Sequence, residues 1–282
     1  MFVATVPLRW SDLDAQGHVN NAIIVDYLQE ARVAFFRSGP TSDLLDSGIV
    51  VVSHQVEYRS PGEYVDGAVR VEIVVASLGA ARFELAYDVL QGERVVAGAR
   101  TVLCPFDFGG HRPTRLDADA RSFLAGHFAE VEPFRPLALA SPVEGVDIVE
   151  IAVRWSDLDA YGHVNNVKLF DFLQQARIEV TKTWDPEMAR SGDGDGGFMW
   201  FVARQDVDYV SQLAHRLEPY ELHVAPAAVG NSSLTVTAEL RDGDVVIGRG
   251  RTVLVCADAT GRPTPLPDRT KSRIAELIRG AA

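Results

Sequence analysis

Residues Arg9 to Arg32 read RWSDLDAQGHVNNAIIVDYLQEAR, and residues Arg154 to Arg177 read RWSDLDAYGHVNNVKLFDFLQQAR. The two stretches are identical at 17 of 24 positions, with RWSDLDA and GHVNN intact in both. A repeated fold needs only a repeated hydrophobic pattern. These copies instead keep most of their polar residues and differ mainly at apolar ones, such as Ile24 against Leu169 and Tyr27 against Phe172. The repeat therefore points to chemistry as well as to architecture.

The stretch divides into a polar, Gly-containing turn over Ser11 to Gly17 and a helix that begins near Asn20–Asn21, where Asn is a favoured N-cap. Ile24, Tyr27, Leu28, Ala31 and Phe35 fall at i, i+3, i+4, i+7 and i+11, the stripe of a helix with one buried face. Leu169, Phe172, Leu173, Ala176 and Val180 repeat the stripe, and Gly39-Pro40 ends the first helix.

Phe2 to Arg9 reads as a strand entering the motif. Beyond the helix, Val52, His54, Val56 and Tyr58 alternate with Ser53, Gln55 and Glu57. Val69 to Ala76 and Arg82 to Val89 alternate in the same way. Period two over such lengths predicts half-buried antiparallel strands. Gln91-Gly92-Glu93 turns into Val95 to Leu103, and Asp242-Gly243 gives the hairpin signal of the second half. Arg112-Pro113-Thr114 leads to a short helix near Asp117 to Phe128 and is matched by Arg262-Pro263-Thr264. Each half thus reads β-α-β-β-β-β with a tail helix, one long helix lying on one antiparallel sheet, an α+β arrangement. The expected boundaries are 1–132 for the first unit, a Pro-containing linker over 133–145, and 146–282 for the second. Register shifts by six residues between helix and second strand, where Ser191 to Gly197 reads as a mobile Gly-rich insertion.

A chain of 282 residues, 47% of them apolar, can bury a large core. No apolar run approaches the roughly 20 residues needed to cross a bilayer, and the N-terminus lacks a signal-peptide pattern, so no membrane span is expected and the cytoplasm is the default location. Net charge is −12. Nucleic acid is a poor partner for such a chain, because phosphate neutralisation needs a basic face. Cys104 and Cys256 fit neither metal nor redox spacing and read as two buried thiols.

Asp14 and Asp159 are the last carboxylates before each helix. A carboxylate there can act as general base or as nucleophile on an acyl group. Helix-start amides around Asn21 and Asn166 can hold a developing oxyanion. His18/His163 and Asn20/Asn165 are close enough in sequence to orient a water or the carboxylate. Base, oxyanion donors and orienting groups within eight residues describe acyl transfer or hydrolysis. Asp12/Asp157 reads as a structural Asx residue, and Asp26/Asp171 as a solvated or salt-bridged carboxylate. One His per copy without a spaced partner is a weak metal signal, so neither metal nor cofactor is expected.

The string RWSDLDxxGHVNN before an amphipathic helix resembles the hotdog-fold thioesterases of the 4-hydroxybenzoyl-CoA thioesterase superfamily, and DLD…HVNN is also similar to plant acyl-ACP thioesterases. The resemblance implies two tandem hotdog units forming an internal pseudo-dimer, its antiparallel sheet wrapped around long central helices. It implies that the second Asp of the D-x-D turn, Asp14 or Asp159, is the catalytic carboxylate, and that the oxyanion donor falls at about Asn21 or Asn166. The expected activity is acyl-CoA thioester hydrolysis, with an acyl-ACP thioesterase, a non-catalytic acyl-CoA or acyl-carrier sensor and a hotdog-fold dehydratase as alternatives. Acyl chains are expected to enter along the helix pair, and further association of the pseudo-dimer into a homo-oligomer is left open. Two departures stand out. Acyl-ACP enzymes place Asn where this chain has Gln16 and Tyr161, and many bacterial acyl-CoA relatives place Glu at Gln29 and Gln174. Gln16 and Tyr161 are substrate-binding candidates that differ between copies. Arg59 and Arg82 face non-basic counterparts, Val210 and Ser233, so a CoA-phosphate contact at either would serve one site only.

Overall fold

The computed structural model describes residues 1–65, 67–137, 147–186, 188, 198–258 and 260–280. The chain falls into two compact units, Met1–Arg135 and Pro136–Ala282. Most of the expected linker and all of the Ser191–Gly197 insertion lie outside the described residues.

In the first unit, β1 (Phe2–Pro7) runs into a 3-10 turn (Trp10–Asp12), α1 (Ile23–Arg37) and the short α2 (Asp43–Ser47). Then come β2 (Ile49–Tyr58), β3 (Ala68–Leu78), β4 (Phe83–Gln91), β5 (Arg94–Asp107), β6 (Arg112–Pro113) and α3 (Ala118–Ala125). The strands pair antiparallel in the order β1-β3-β4-β5-β2. The second unit repeats this plan with β7 (Asp147–Ile151), a 3-10 turn (Trp155–Asp157), α4 (Lys168–Trp184), β8 (Phe198–Tyr209), β9 (Tyr220–Val229), β10 (Ser233–Asp242), β11 (Val245–Asp258) and α5 (Asp268–Gly280). Its order, β7-β9-β10-β11-β8, is the same with the strands renamed.

The predicted helix stripe is the core. Ile24, Leu28, Ala31 and Phe35 are buried, as are Val71, Ile73 and Val75 of β3 and Leu85 and Val89 of β4. Each such large side chain contributes roughly 1.5–3 kcal/mol on burial. At the C-terminal end of α1, the Phe35 ring lies 5.4 Å from Phe2 and 5.2 Å from Phe123, and Phe36 lies 6.1 Å from Phe83. These contacts fix α1 lengthwise, so its N-terminus meets the opposite end of the sheet.

Three features depart from the sequence expectation. β2 carries a bulge between Val51 and Ser53, and β8 is out of register with β11 at the equivalent place, so the alternation begins cleanly only at His54. α2 goes unread because five residues are too few to display a helical period. The strands are also more than half-buried, because polar residues on the second face are covered. In the first unit the Arg100 guanidinium donates to the Glu132 carbonyl and lies 5.5 Å from the Phe134 ring. In the second, Arg204 forms a buried bidentate pair with Asp206 at 2.8 and 3.0 Å, and Arg249 reaches buried Glu239 at 2.9 Å. Hydrogen-bonded charge pairs offset the cost of burying these polar residues. Cys104 and Cys256 are free and buried, and burial raises both thiol pKa values.

Candidate active site

The DLDxxGHVNN string forms a closed loop, and both units build it with the same hydrogen bonds. Leu13 bridges Val19, and the Asp14 N–H donates to the His18 carbonyl at 2.7 Å. Asp14 Oδ1 then accepts the Gln16 N–H at 2.8 Å and the His18 N–H at 3.0 Å. In the second unit Leu158 bridges Val164, Asp159 N–H reaches the His163 carbonyl at 2.8 Å, and Asp159 Oδ1 accepts from Tyr161 at 2.9 Å and His163 at 3.2 Å. The loop can close only with a residue at positive φ. Gly17 (80°) and Gly162 (77°) supply it where any side chain would be strained.

Asp14 and Asp159 are therefore anchored by one carboxylate oxygen. Oδ2 of each has no hydrogen-bond partner among the described residues. The groups are half-buried, a setting in which a carboxylate stays reachable while its direction is fixed.

The neighbouring polar residues divide the remaining tasks. Asp12 is structural, as its sequence context suggests. Its Oδ2 accepts the Arg9 N–H and the Tyr27 hydroxyl, each at 2.8 Å, and Asp157 accepts the Arg154 N–H at 2.8 Å. Burial and the Asp12 hydrogen bond both push the Tyr27 hydroxyl pKa far up. The helices start later than the sequence suggests, with Ala22 and Val167 at the N-cap and no side-chain cap. Asn20 and Asn165 instead brace the approach through Oδ1, which accepts from Ala22 at 3.0 Å and from Val167 at 3.4 Å. Their backbone N–H groups donate to the Asp12 and Asp157 carbonyls at 2.8 Å, tying the loop to the helix start. Asn21 and Asn166 stand just before the N-cap residues, at the end of the helix where the dipole is positive. The second helix start differs: Lys168 replaces Ile23 and pairs with Asp171 at 3.0 Å, the salt-bridged role read for Asp171.

Two residues escaped the sequence reading. The Tyr58 hydroxyl donates to the Asn21 carbonyl at 2.9 Å, and the Tyr209 hydroxyl to the Asn166 carbonyl at 2.7 Å. Both lie at the end of the strand that follows the helix, and both hold the peptide that leads into the helix N-cap. The signal was present: the six-residue shift that aligns Gln205 with His54 also aligns Tyr209 with Tyr58.

A strap after this strand lies against each loop. Val19 N–H donates to the Gly62 carbonyl at 2.8 Å, and Val164 N–H to the Leu213 carbonyl at 2.9 Å. The straps are held differently. Gln91 Oε1 accepts the Glu63 N–H at 2.9 Å, and Arg94 donates to the Pro61 carbonyl at 2.6 Å. In the second unit Arg216 pairs with Asp242 at 2.7 Å and covers the Tyr220 ring at 3.7 Å, while Tyr220 donates to the Ala214 carbonyl at 2.9 Å.

The structure brings Asp14, Gln16, His18, Asn20 and Asn21 together, and likewise Asp159, Tyr161, His163, Asn165 and Asn166. Arg59 follows Tyr58 at the same end of the sheet and makes an exposed pair with Asp88 at 3.5 Å. Arg82 does not join the loop of its own unit. It precedes Phe83, whose ring meets Phe36 near the far end of α1, roughly 20 Å away at 1.5 Å of rise per residue. No group of three or more candidate metal ligands occurs among the described residues, and no described helix is long and apolar enough to cross a membrane.

A family model described as the thioesterase-like superfamily matches residues 8–124 and again 153–274. The chain belongs to the thioesterase-like superfamily. Both matches contain a complete Asp loop and its helix. Among solved structures, a chain from Lactobacillus plantarum described as an oleoyl thioesterase superposes with a TM-score of 0.71 at 13% identity, over 94% of this chain and 97% of that one. The 12:0-ACP thioesterase from Umbellularia californica gives 0.66 at 16% identity, over 91% and 97%. At these identities the likeness shows the fold, α+β with two tandem hotdog units. Over 90 residues the chain is 34% identical to the uncharacterized protein YsmA of Bacillus subtilis (strain 168), covering 31% of this chain. That match spans about half, 55%, of YsmA.

Proposed function

We propose that the protein hydrolyses acyl-CoA thioesters to the free acid and CoA thiol. The observation that carries this reading is the duplicated carboxylate, held through Oδ1, with no partner for Oδ2 among the described residues, in a loop tied by backbone hydrogen bonds to the residues that lead into a helix. Asp14 or Asp159 takes a proton from water, and the resulting hydroxide adds to the thioester carbonyl. Helix-start amides at Asn21 or Asn166 stabilise the oxyanion. Collapse breaks the C–S bond, and the thiolate leaves with the proton held by the aspartic acid. Attack by the carboxylate itself, followed by hydrolysis of the anhydride, uses the same groups. Tyr58 and Tyr209 hold the carbonyls of Asn21 and Asn166, the same residues whose N–H groups are the proposed donors, and His18/His163 orient the reactants. The structural relatives, named for oleoyl and 12:0-ACP substrates, favour a fatty acyl group, with acyl carrier protein as the alternative thiol carrier.

Asp14→Asn and Asp159→Asn test the assignment cleanly, because the amide oxygen still accepts from the loop N–H groups while the base is gone. With an acyl-CoA panel and a free-thiol assay, the double variant should lose about 10²–10⁴-fold in turnover, the range for a general base. Undiminished turnover in a folded double variant would refute the role. A binding-only sensor is favoured by one observation, the loop-closing hydrogen bonds of Oδ1, which give Asp a shape role without chemistry. Tight acyl-CoA binding by the wild type without thiol release would establish that reading instead.

A further inference from the structure

Trp10 and Trp155 are 74% and 77% exposed, although each opens a motif that runs into buried Val19 and Ala22, or Val164 and Val167. An indole left in water forgoes most of its burial energy, so packing does not account for its presence. The two copies have exchanged several core residues and kept this exposed one. Each ring is held in place. Trp10 meets Tyr64 edge-on at 5.8 Å and 87°, and Trp155 meets His215 at 5.5 Å and 82°. Tyr64 and His215 both stand two residues beyond the strap carbonyl, Gly62 or Leu213, that binds the Asp loop. Indole and strap thus bracket the loop identically in the two units, with different partner rings.

We propose that Trp10 and Trp155 bind the pantetheine arm of the thioester, the part shared by CoA and acyl carrier proteins. The proposal rests on the thioester reading of the loops. Reach selects the arm over the nucleotide. Trp10 and Asp14 are four positions apart, at most about 14 Å of extended chain, and less because residues 10–12 are wound at about 2 Å per residue. With the thioester at Asp14, the indole lies along the arm leaving the sulfur. That arm offers what an open indole face takes up: planar amides that stack and a gem-dimethyl group that buries apolar surface.

The test compares one acyl group on three carriers, N-acetylcysteamine, pantetheine and CoA, in the wild type, Trp10→Ala/Trp155→Ala and Trp10→Phe/Trp155→Phe. The Ala variant should lose about tenfold in kcat/KM on the pantetheine and CoA thioesters and stay within about twofold on the N-acetylcysteamine thioester, with Phe restoring most of the loss. Equal losses on all three carriers, a loss on CoA alone, or no loss overturn the proposal. So does a change of oligomeric state that explains the kinetics. Titration with pantetheine, followed by tryptophan fluorescence, reads the contact without turnover. A response in the wild type that vanishes in the Phe variant supports the contact even if hydrolysis itself fails, and no response overturns it.

Discussion

Replacing Tyr27 by Phe removes one atom whose task the second unit performs without. The Tyr27 hydroxyl donates at 2.8 Å to Oδ2 of Asp12, and the two residues are 3% and 8% exposed. A hydrogen bond to a buried charged group is worth about 1.5–3 kcal/mol, and its loss leaves the Asp12 carboxylate with fewer donors in a place water barely reaches. The expected loss of stability in urea or thermal unfolding is therefore about 1.5–3 kcal/mol, or roughly 2–4 °C of Tm per kcal/mol. Phe172 is the natural control, since Asp157 there already lacks this donor, and Phe172→Tyr should stabilise the second unit. The pH dependence follows from the raised Tyr27 pKa. The folded value lies above the unfolded one, so the contribution is fully present below about pH 10 and is lost as pH rises further. Tyr27→Phe should remove that part of the alkaline slope. A loss below about 0.5 kcal/mol, the range of ordinary surface changes, together with an unchanged alkaline limb, would refute the reasoning.

Tyr58→Phe and Tyr209→Phe should lower kcat more than they raise KM, each at its own site. Steady-state kinetics on the single and double variants checks this, and a pure KM effect would remove these tyrosines from the positioning role. Thr270→Val breaks the hydrogen bond to fully buried Asp185 that ties α5 to the end of α4. Unfolding should show a loss of about 1.5–3 kcal/mol with turnover at both Asp loops unchanged.

The fold was legible because its strongest signals are periodic and doubled. The α1 stripe, the strand alternation and the repeated motif agree with one another, and each half corrects a misreading of the other. What stayed hidden depends on contacts distant in sequence. No local pattern announces that Glu132 and Phe134 return to cover Arg100, so β5 reads as half-exposed when it is not. The Asp loop was legible as a unit but its division of labour was not. Asp14, read as a carboxylate beside the helix, closes its own loop with one oxygen, while Asn20, read as a cap, sits two residues before the N-cap Ala22 and binds its N–H. Tyr58 looked like one more strand residue, because a hydroxyl's partner 37 positions away leaves no trace in the pattern. Arg82 was nominated from charge, which carries no information about its distance from the loop of its own unit.

The two straps are fastened by unrelated parts, Gln91 and Arg94 in one unit and Arg216, Asp242 and Tyr220 in the other. In a homodimer every substitution lands twice, so neither copy can drift without dragging its twin. Fusion into one chain lifts that symmetry. A change at Gln91 alters one strap and leaves its counterpart as it was. Selection acting on such a chain can hold one loop to its original task while the other explores, with the shared Asp frame as the inheritance common to both.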